Sequence, residues 1–167
     1  RAIALSPDDS QTWFRKGVAL AALGKGADAI ESLEGAVSLD PGDAEGWYRL
    51  GLVLMEAKAY DRALDSFTQA LELQLEDGRL WFESGLALEA LGHHEDALEA
   101  FRRSVALEPA NREAWFHRGL MESRVGRPRE AVASFDRVLS LDEGHGPSHY
   151  QKGLVLLSLG EHGEALR

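Results

Sequence analysis

From Trp13 onward, apolar and small residues fall on two stripes of a helix. Trp13, Gly17 and Leu20 are spaced four and then three apart, while Phe14 and Val18 lie roughly 100–140° further round. This predicts a helix apolar on two sides, one for a partner helix and one for neighbouring units or an inner wall. The next segment places Ala29, Ile30, Leu33, Ala36 and Val37 on one broad face, backed by Glu31, Glu34 and Ser38. It reads as a second helix that packs by that face alone. Gly24 and its equivalents Gly92, Gly126 and Gly160 can take positive φ and end the first helix. Pro41 and Pro109 stop the second helix, and Asp40, Asp43 and Asn111 are expected to cap the helix after it.

The pattern recurs. Gly17, Gly51, Gly85, Gly119 and Gly153 stand 34 residues apart, and four residues before each come Trp13, Trp47, Trp81, Trp115 and then His149. Twelve residues after each glycine comes Ala29, Ala63, Ala97, Ala131 or Ala165, followed by Leu33, Phe67, Phe101 and Phe135, and then by Leu39, Leu73, Leu107 and Leu141. No insertion breaks the register. A glycine inside a helix costs about 1 kcal/mol relative to alanine, so five in one column imply a steric reason. The expectation is a close approach of two helix backbones, answered by the methyl of Ala29 and its equivalents. The tryptophan column reads as core.

These residues resemble the tetratricopeptide repeat family, a 34-residue helix–turn–helix unit. The best copy is Trp47, Leu50, Gly51, Leu54, Ala63 and Phe67. Pro7, Pro41 and Pro109 fill the closing proline, which Leu75 and Glu143 replace elsewhere; the usual tyrosine is Leu20, Leu54, Leu88, Glu122 and Leu156. Full units run 10–43, 44–77, 78–111 and 112–145, with partial units 1–9 and 146–167, so residues 1–167 read as one array fragment. The resemblance implies an all-α solenoid of antiparallel helix pairs coiled as a right-handed superhelix, first helices on the concave side. A lone repeat cannot bury its faces, so neighbours must stack. With no polar capping helix at either end, a longer array or associating ends are expected.

Carried over from the family, the concave groove would be lined by Phe14, Tyr48, Phe82, Phe116 and Tyr150 and by Val18, Leu52, Leu86, Leu120 and Leu154. Flanking polar residues are Gln11, Arg15, Glu45, Arg49, Glu56, Arg79, Glu83, Glu89, Glu113, His117 and Arg124. Family members that grip a C-terminal carboxylate carry Lys or Arg and Asn in the two groove columns. This chain carries none there, so that mode is not expected. The ladder suits an apolar helix or extended segment instead. The alternative is that these side chains only pack first helix against first helix.

Composition narrows the chemistry. Cysteine is missing, 28 acidic residues face 18 basic ones, and the net charge is −10. Disulfides, thiolate metal sites and nucleic-acid binding are therefore not expected. The deficit lies before residue 112, which would steer a basic partner there. No apolar run is long enough to enter a membrane as a spanning helix. Arg118 and Glu122 break the apolar columns together, either as an i,i+4 pair or as two independent surface charges. His93, His94 and His145 lack a third ligand of clear spacing for zinc, and His149 reads as a tryptophan substitute. No phosphate loop, nucleophile or metal-ligand motif is present. The expected function is a protein–protein interaction scaffold without catalysis, cofactor or metal. Alternatives are the assembly or regulatory arm of a larger enzyme or signalling protein, and self-association through the array ends. Cytoplasmic is the commoner prior for its compartment.

Overall fold

Five residues spaced by 34 start the odd-numbered helices. The side chains of Asp9, Asp43, Asp77, Asn111 and His145 each accept a backbone N–H, from Gln11, Gly46, Arg79, Ala114 and Ser148. Each satisfies one of the donors that a helix start leaves unpaired. Asp40, expected in the same role, instead ends the second helix and accepts the Gly42 N–H. The computed structural model of the chain describes residues 9–73 and 76–160. Pro7, Leu75 and Ala165 lie outside them.

The described residues are all-α, without strands, and form two compact units, Arg1–Glu76 and Asp77–Arg167. Unit 1 contains α1 (Ser10–Ala22), α2 (Gly26–Leu39), α3 (Ala44–Glu56) and α4 (Tyr60–Glu72). Unit 2 contains α5 (Gly78–Leu91), α6 (His94–Leu107), α7 (Arg112–Arg124), α8 (Pro128–Leu141) and α9 (Gly146–Ser158). Gly17 meets Leu33 while Trp13 meets Gly35, so α1 and α2 run antiparallel. The turn inside each pair needs one residue at positive φ. Gly24, Gly92, Gly126 and Gly160 supply it at φ 71 to 82°, and Lys58 holds the same place at φ 58°.

The glycine column has a steric cause, but a different one from backbone approach. A Cβ on Gly51 would lie 2.3 Å from Cε1 of Phe67, and one on Gly85 or Gly119 would lie 2.6 or 2.7 Å from Phe101 or Phe135. A ring from the second helix fills the space over the glycine. Phe67, Phe101 and Phe135 are fully buried, as are Ala29, Ala63, Ala97 and Ala131 beside them.

The tryptophans are displaced outward and only half-buried. Their indole N–H needs a partner, and Trp47 and Trp115 donate to the carbonyls of Pro41 and Pro109, each at 3.0 Å. His149 fills that place by chemistry as well as position, its Nε2 lying 2.8 Å from the Glu143 carbonyl. The core is therefore the phenylalanine column, with tryptophan closing its edge.

One charge is buried in unit 2. Glu122 is 0% exposed; Arg118 Nε donates to it at 2.8 Å and the Ser134 hydroxyl at 2.6 Å. The Arg118 guanidinium lies 4.9 Å from the Trp115 ring centroid. Arg118 and Glu122 are thus a pair, not two independent surface charges.

Both features of the packing can be tested by stability. Gly51→Ala should lower unfolding stability by about 1–3 kcal/mol through overpacking against Phe67, whereas Lys58→Gly should raise it by about 0.5–1 kcal/mol by removing left-handed strain; urea midpoints check both. Arg118→Leu should cost about 2–4 kcal/mol by leaving Glu122 buried without its cation, while Arg118→Leu with Glu122→Leu should lie within about 1 kcal/mol of the parent. A single variant as stable as the parent would show that Glu122 does not depend on Arg118.

Candidate partner-binding site

In unit 1 the exposed side of the odd helices is carried by α1 and α3. Phe14, Val18 and Leu52 are half-buried, whereas Tyr48 is buried with its ring 6.2 Å from Phe67. Arg49 is exposed and donates to Glu45 at 2.6 Å. A cavity of about 270 Å³ lies between α1 and α3, lined by Val18, Ala21, Ala22, Leu33, Arg49, Leu52, Val53 and Glu56. It brings together three of the expected site residues, Val18, Arg49 and Leu52. Phe14 and Tyr48 do not line it. A larger hollow of about 460 Å³ is bordered by Trp47, Leu50 and the Glu34–Arg62 ion pair, but it opens beside α2 and α4 rather than between odd helices.

In unit 2, Phe82 and Phe116 are half-buried against Phe101 and Phe135, each with ring centroids 5.9 Å apart. Leu86 and Leu120 are half-buried on the cluster of Ala97, Leu98, Phe101 and Met121. Tyr150 and Leu154 on α9 are exposed, at 65% and 44%. The ladder therefore has a packing role in both units, since every aromatic member on α3, α5 and α7 leans on a core phenylalanine. Exposed edges remain on the half-buried members.

By spacing alone Glu89, His117 and Arg124 are separate rim charges; the structure joins them. His117 Nδ1 lies 2.7 Å from Glu89 Oε2, and Arg124 donates to Glu89 Oε1 at 2.9 Å. The His117 ring also sits 5.4 Å from Phe101 and 5.8 Å from Phe82. The signal available in the sequence was separation: 28 and 35 residues place partners on adjacent first helices. Burial is the largest influence on Glu89 and would raise its carboxyl. The His117 hydrogen bond and the charges of His117 and Arg124 together outweigh it, holding the group below its ordinary value of 4.5. Glu83 has no such partners among the described residues, and burial pushes its carboxyl up.

Two further histidines have structural places. His145 caps α9 and lies 5.3 Å from the Phe116 ring, and His93 is an exposed neighbour of Asp96. Among the described residues no three His, Asp or Glu side chains group to hold a metal ion, and no helix is long and apolar enough to cross a membrane.

A family model described as tetratricopeptide repeat matches residues 1–44, 14–74, 48–107, 82–124 and 122–167. The chain belongs to the tetratricopeptide repeat family. No curated protein matches the sequence. Among solved structures, the chain is similar to YrrB, a tetratricopeptide repeat protein with an unusual peptide-binding site: 27% identity over 96% of this chain and 83% of that one, with TM-score 0.90. It is also similar to MamA, at 20% identity, 94% and 86% coverage and TM-score 0.90. MamA from Desulfovibrio magneticus RS-1 matches at 20% identity, 94% and 89% coverage and TM-score 0.87. The MamA likenesses show the fold alone, an all-α helical solenoid. Within the tetratricopeptide repeats, α1, α3, α5, α7 and α9 are the first helices, and every expected site residue lies on one of them.

The electrostatics of Glu89 predict an acid-sensitive contact. A carboxyl held below its ordinary value stabilises the fold fully above about pH 4.5, and that contribution is lost as pH falls through the lowered folded value. Urea midpoints measured from pH 3 to 7 should show Glu89→Gln less stable than the parent above about pH 5, with the gap closing below about pH 4.5. A gap independent of pH would remove the ionised carboxylate from the explanation.

Proposed function

We propose that this tetratricopeptide repeat chain is a protein–protein interaction scaffold that takes a peptide or partner-protein segment on the first-helix faces of its two units. The residues proposed to meet the partner are Phe14, Val18, Arg49 and Leu52 in unit 1, and Phe82, Leu86, Phe116, Leu120, Tyr150 and Leu154 in unit 2; Tyr48, expected among them, is buried against Phe67 instead. One observation carries the reading. Apolar first-helix side chains keep solvent-facing edges after packing, and in unit 1 they surround an open cavity. Apolar anchors ringed by charges are the usual anatomy of a recognition surface. The role is binding rather than catalysis, in keeping with the family. YrrB, a tetratricopeptide repeat protein with an unusual peptide-binding site, lends the reading support.

The partner is proposed to be basic. Residues 1–76 hold 13 acidic and 7 basic side chains, net −6, and such a field raises encounter rates with cations more than it raises affinity.

Capture of partners by the immobilised chain, with identification of what stays bound, tests the reading. Phe82→Ala with Leu86→Ala should abolish capture of a partner held through unit 2 while far-UV circular dichroism stays helical. Capture should also weaken as salt rises from about 50 to 500 mM, where the Debye length shrinks from over 10 Å to under 5 Å. Capture that survives the double variant would reduce the ladder to packing, and salt-independent capture would remove the basic partner.

A further inference from the structure

The same place in the two units is built from different side chains, which meet one another in unit 2 and leave a cavity in unit 1. Adding 68 to the residues around the α1–α3 cavity gives their counterparts between α5 and α7. Ala21 becomes Glu89, Leu33 becomes Phe101, Arg49 becomes His117 and Glu56 becomes Arg124. In unit 2 these four side chains meet one another. The Glu89 carboxylate joins His117 and Arg124, and the His117 ring lies on Phe101. In unit 1 the methyl of Ala21 cannot reach across, Leu33 is smaller than a phenylalanine, and Arg49 turns away to Glu45. The result is the cavity of about 270 Å³ with an apolar floor of Val18, Leu33, Leu52 and Val53.

Size and charge specify an occupant. The volume falls below the roughly 300–1,000 Å³ of sites for drug-sized ligands, and suits a single side chain better than a cofactor. The floor side chains are aliphatic, and the charged members of the lining are Arg49 and Glu56. At the rim, the Arg49 charge is already met by Glu45. Glu56 is exposed and has no hydrogen-bond or ion-pair partner among the described residues. A carboxylate without a cation beside an apolar hollow, in a unit of net charge −6, complements an aliphatic residue flanked by lysine or arginine.

We propose that the α1–α3 cavity is the anchor subsite of unit 1, taking one leucine-sized aliphatic side chain of a partner peptide whose adjacent cation pairs with Glu56. This rests on the interaction reading above and names the chemistry of its ligand. At the equivalent place in unit 2, Glu89, His117 and Arg124 are partnered with one another, so the anchor is assigned to unit 1.

The test uses acetylated, amidated, fluorescein-labelled peptides Gly-Ser-Lys-Leu-Lys-Ser-Gly, its Lys-Ala-Lys form and its Glu-Leu-Glu form. Anisotropy gives affinity, and methyl chemical shifts of Val18, Leu52 and Val53 report location. The Lys-Leu-Lys peptide should shift those methyls and bind about tenfold or more tightly than the alanine form, which lacks the buried methylenes. The Glu-Leu-Glu form should also bind more weakly. Ala21→Met, which copies the side chain found at Met55 one repeat later, should fill the cavity and lower affinity for Lys-Leu-Lys by about tenfold. The transplant Ala21→Glu, Leu33→Phe, Arg49→His and Glu56→Arg should close the cavity with the unit 2 network and remove binding. Glu56→Gln should narrow the difference between the lysine- and glutamate-flanked peptides.

Equal affinity for the leucine and alanine peptides, undiminished binding by Ala21→Met, or unmoved methyls at saturation would each overturn the anchor. The two proposals fail separately. A captured partner lost with the Phe82 and Leu86 changes but kept by Ala21→Met would sink the anchor and leave the scaffold standing.

Discussion

A phenylalanine ring seated on a glycine is the contact on which the rest of the molecule depends. Phe67 on Gly51, Phe101 on Gly85 and Phe135 on Gly119 set how closely each second helix lies on its first, and Leu33 on Gly17 is a smaller version of the same fit. The glycine costs about 1 kcal/mol of helix propensity. A fully buried phenylalanine contributes about 1.5–3 kcal/mol, so the exchange favours the fold at every repeat. With the interior occupied by that ring, the tryptophan must sit at the margin. There its indole finds the carbonyl of the segment preceding its own helix, as Trp47 and Trp115 show.

Because this contact, the first-helix caps and the left-handed turn recur every 34 residues, the remaining positions are free to differ without disturbing the helix pairs. The differences lie in charged and small residues on the first helices. Unit 2 places Glu122 in the interior with Arg118 and Ser134, and ties Glu89 to His117 and Arg124. Unit 1 has alanine at the position of Glu89 and leucine at that of Glu122, and is left with an open apolar cavity. Buried ion pairs seldom add much net stability over apolar packing. Their consequence here is one of arrangement, since charged side chains meet one another where unit 1 has the methyl of Ala21.

Periodicity also explains how far the site was legible in the sequence. The stripe containing Phe14, Val18 and their equivalents is visible as helical spacing, and its members do lie on the first helices. Spacing cannot say how far each is covered. Tyr48 is buried while Tyr150, in the same column, is exposed. That difference depends on what stands opposite, and for Tyr48 it is Phe67. The exchange of roles between tryptophan and phenylalanine has the same origin. Both columns face inward on a helical wheel, and only the gap above glycine decides which ring takes the deeper place.

The amino-acid order by itself determined the helix pairs, their 34-residue register, the turn glycines and the first-helix caps Asp43 and Asn111, because each depends on residues within one or two helical turns. Lys58 in the turn and His145 at a cap became legible only from their columns, where a side chain is held to the backbone geometry of its neighbours. Tertiary structure alone decided the burial order of the aromatics, the joining of Glu89 with His117 and Arg124, and the cavity between α1 and α3. Those depend on side-chain volumes and charges meeting across helices some thirty residues apart, and a one-dimensional pattern carries no measure of the space between them.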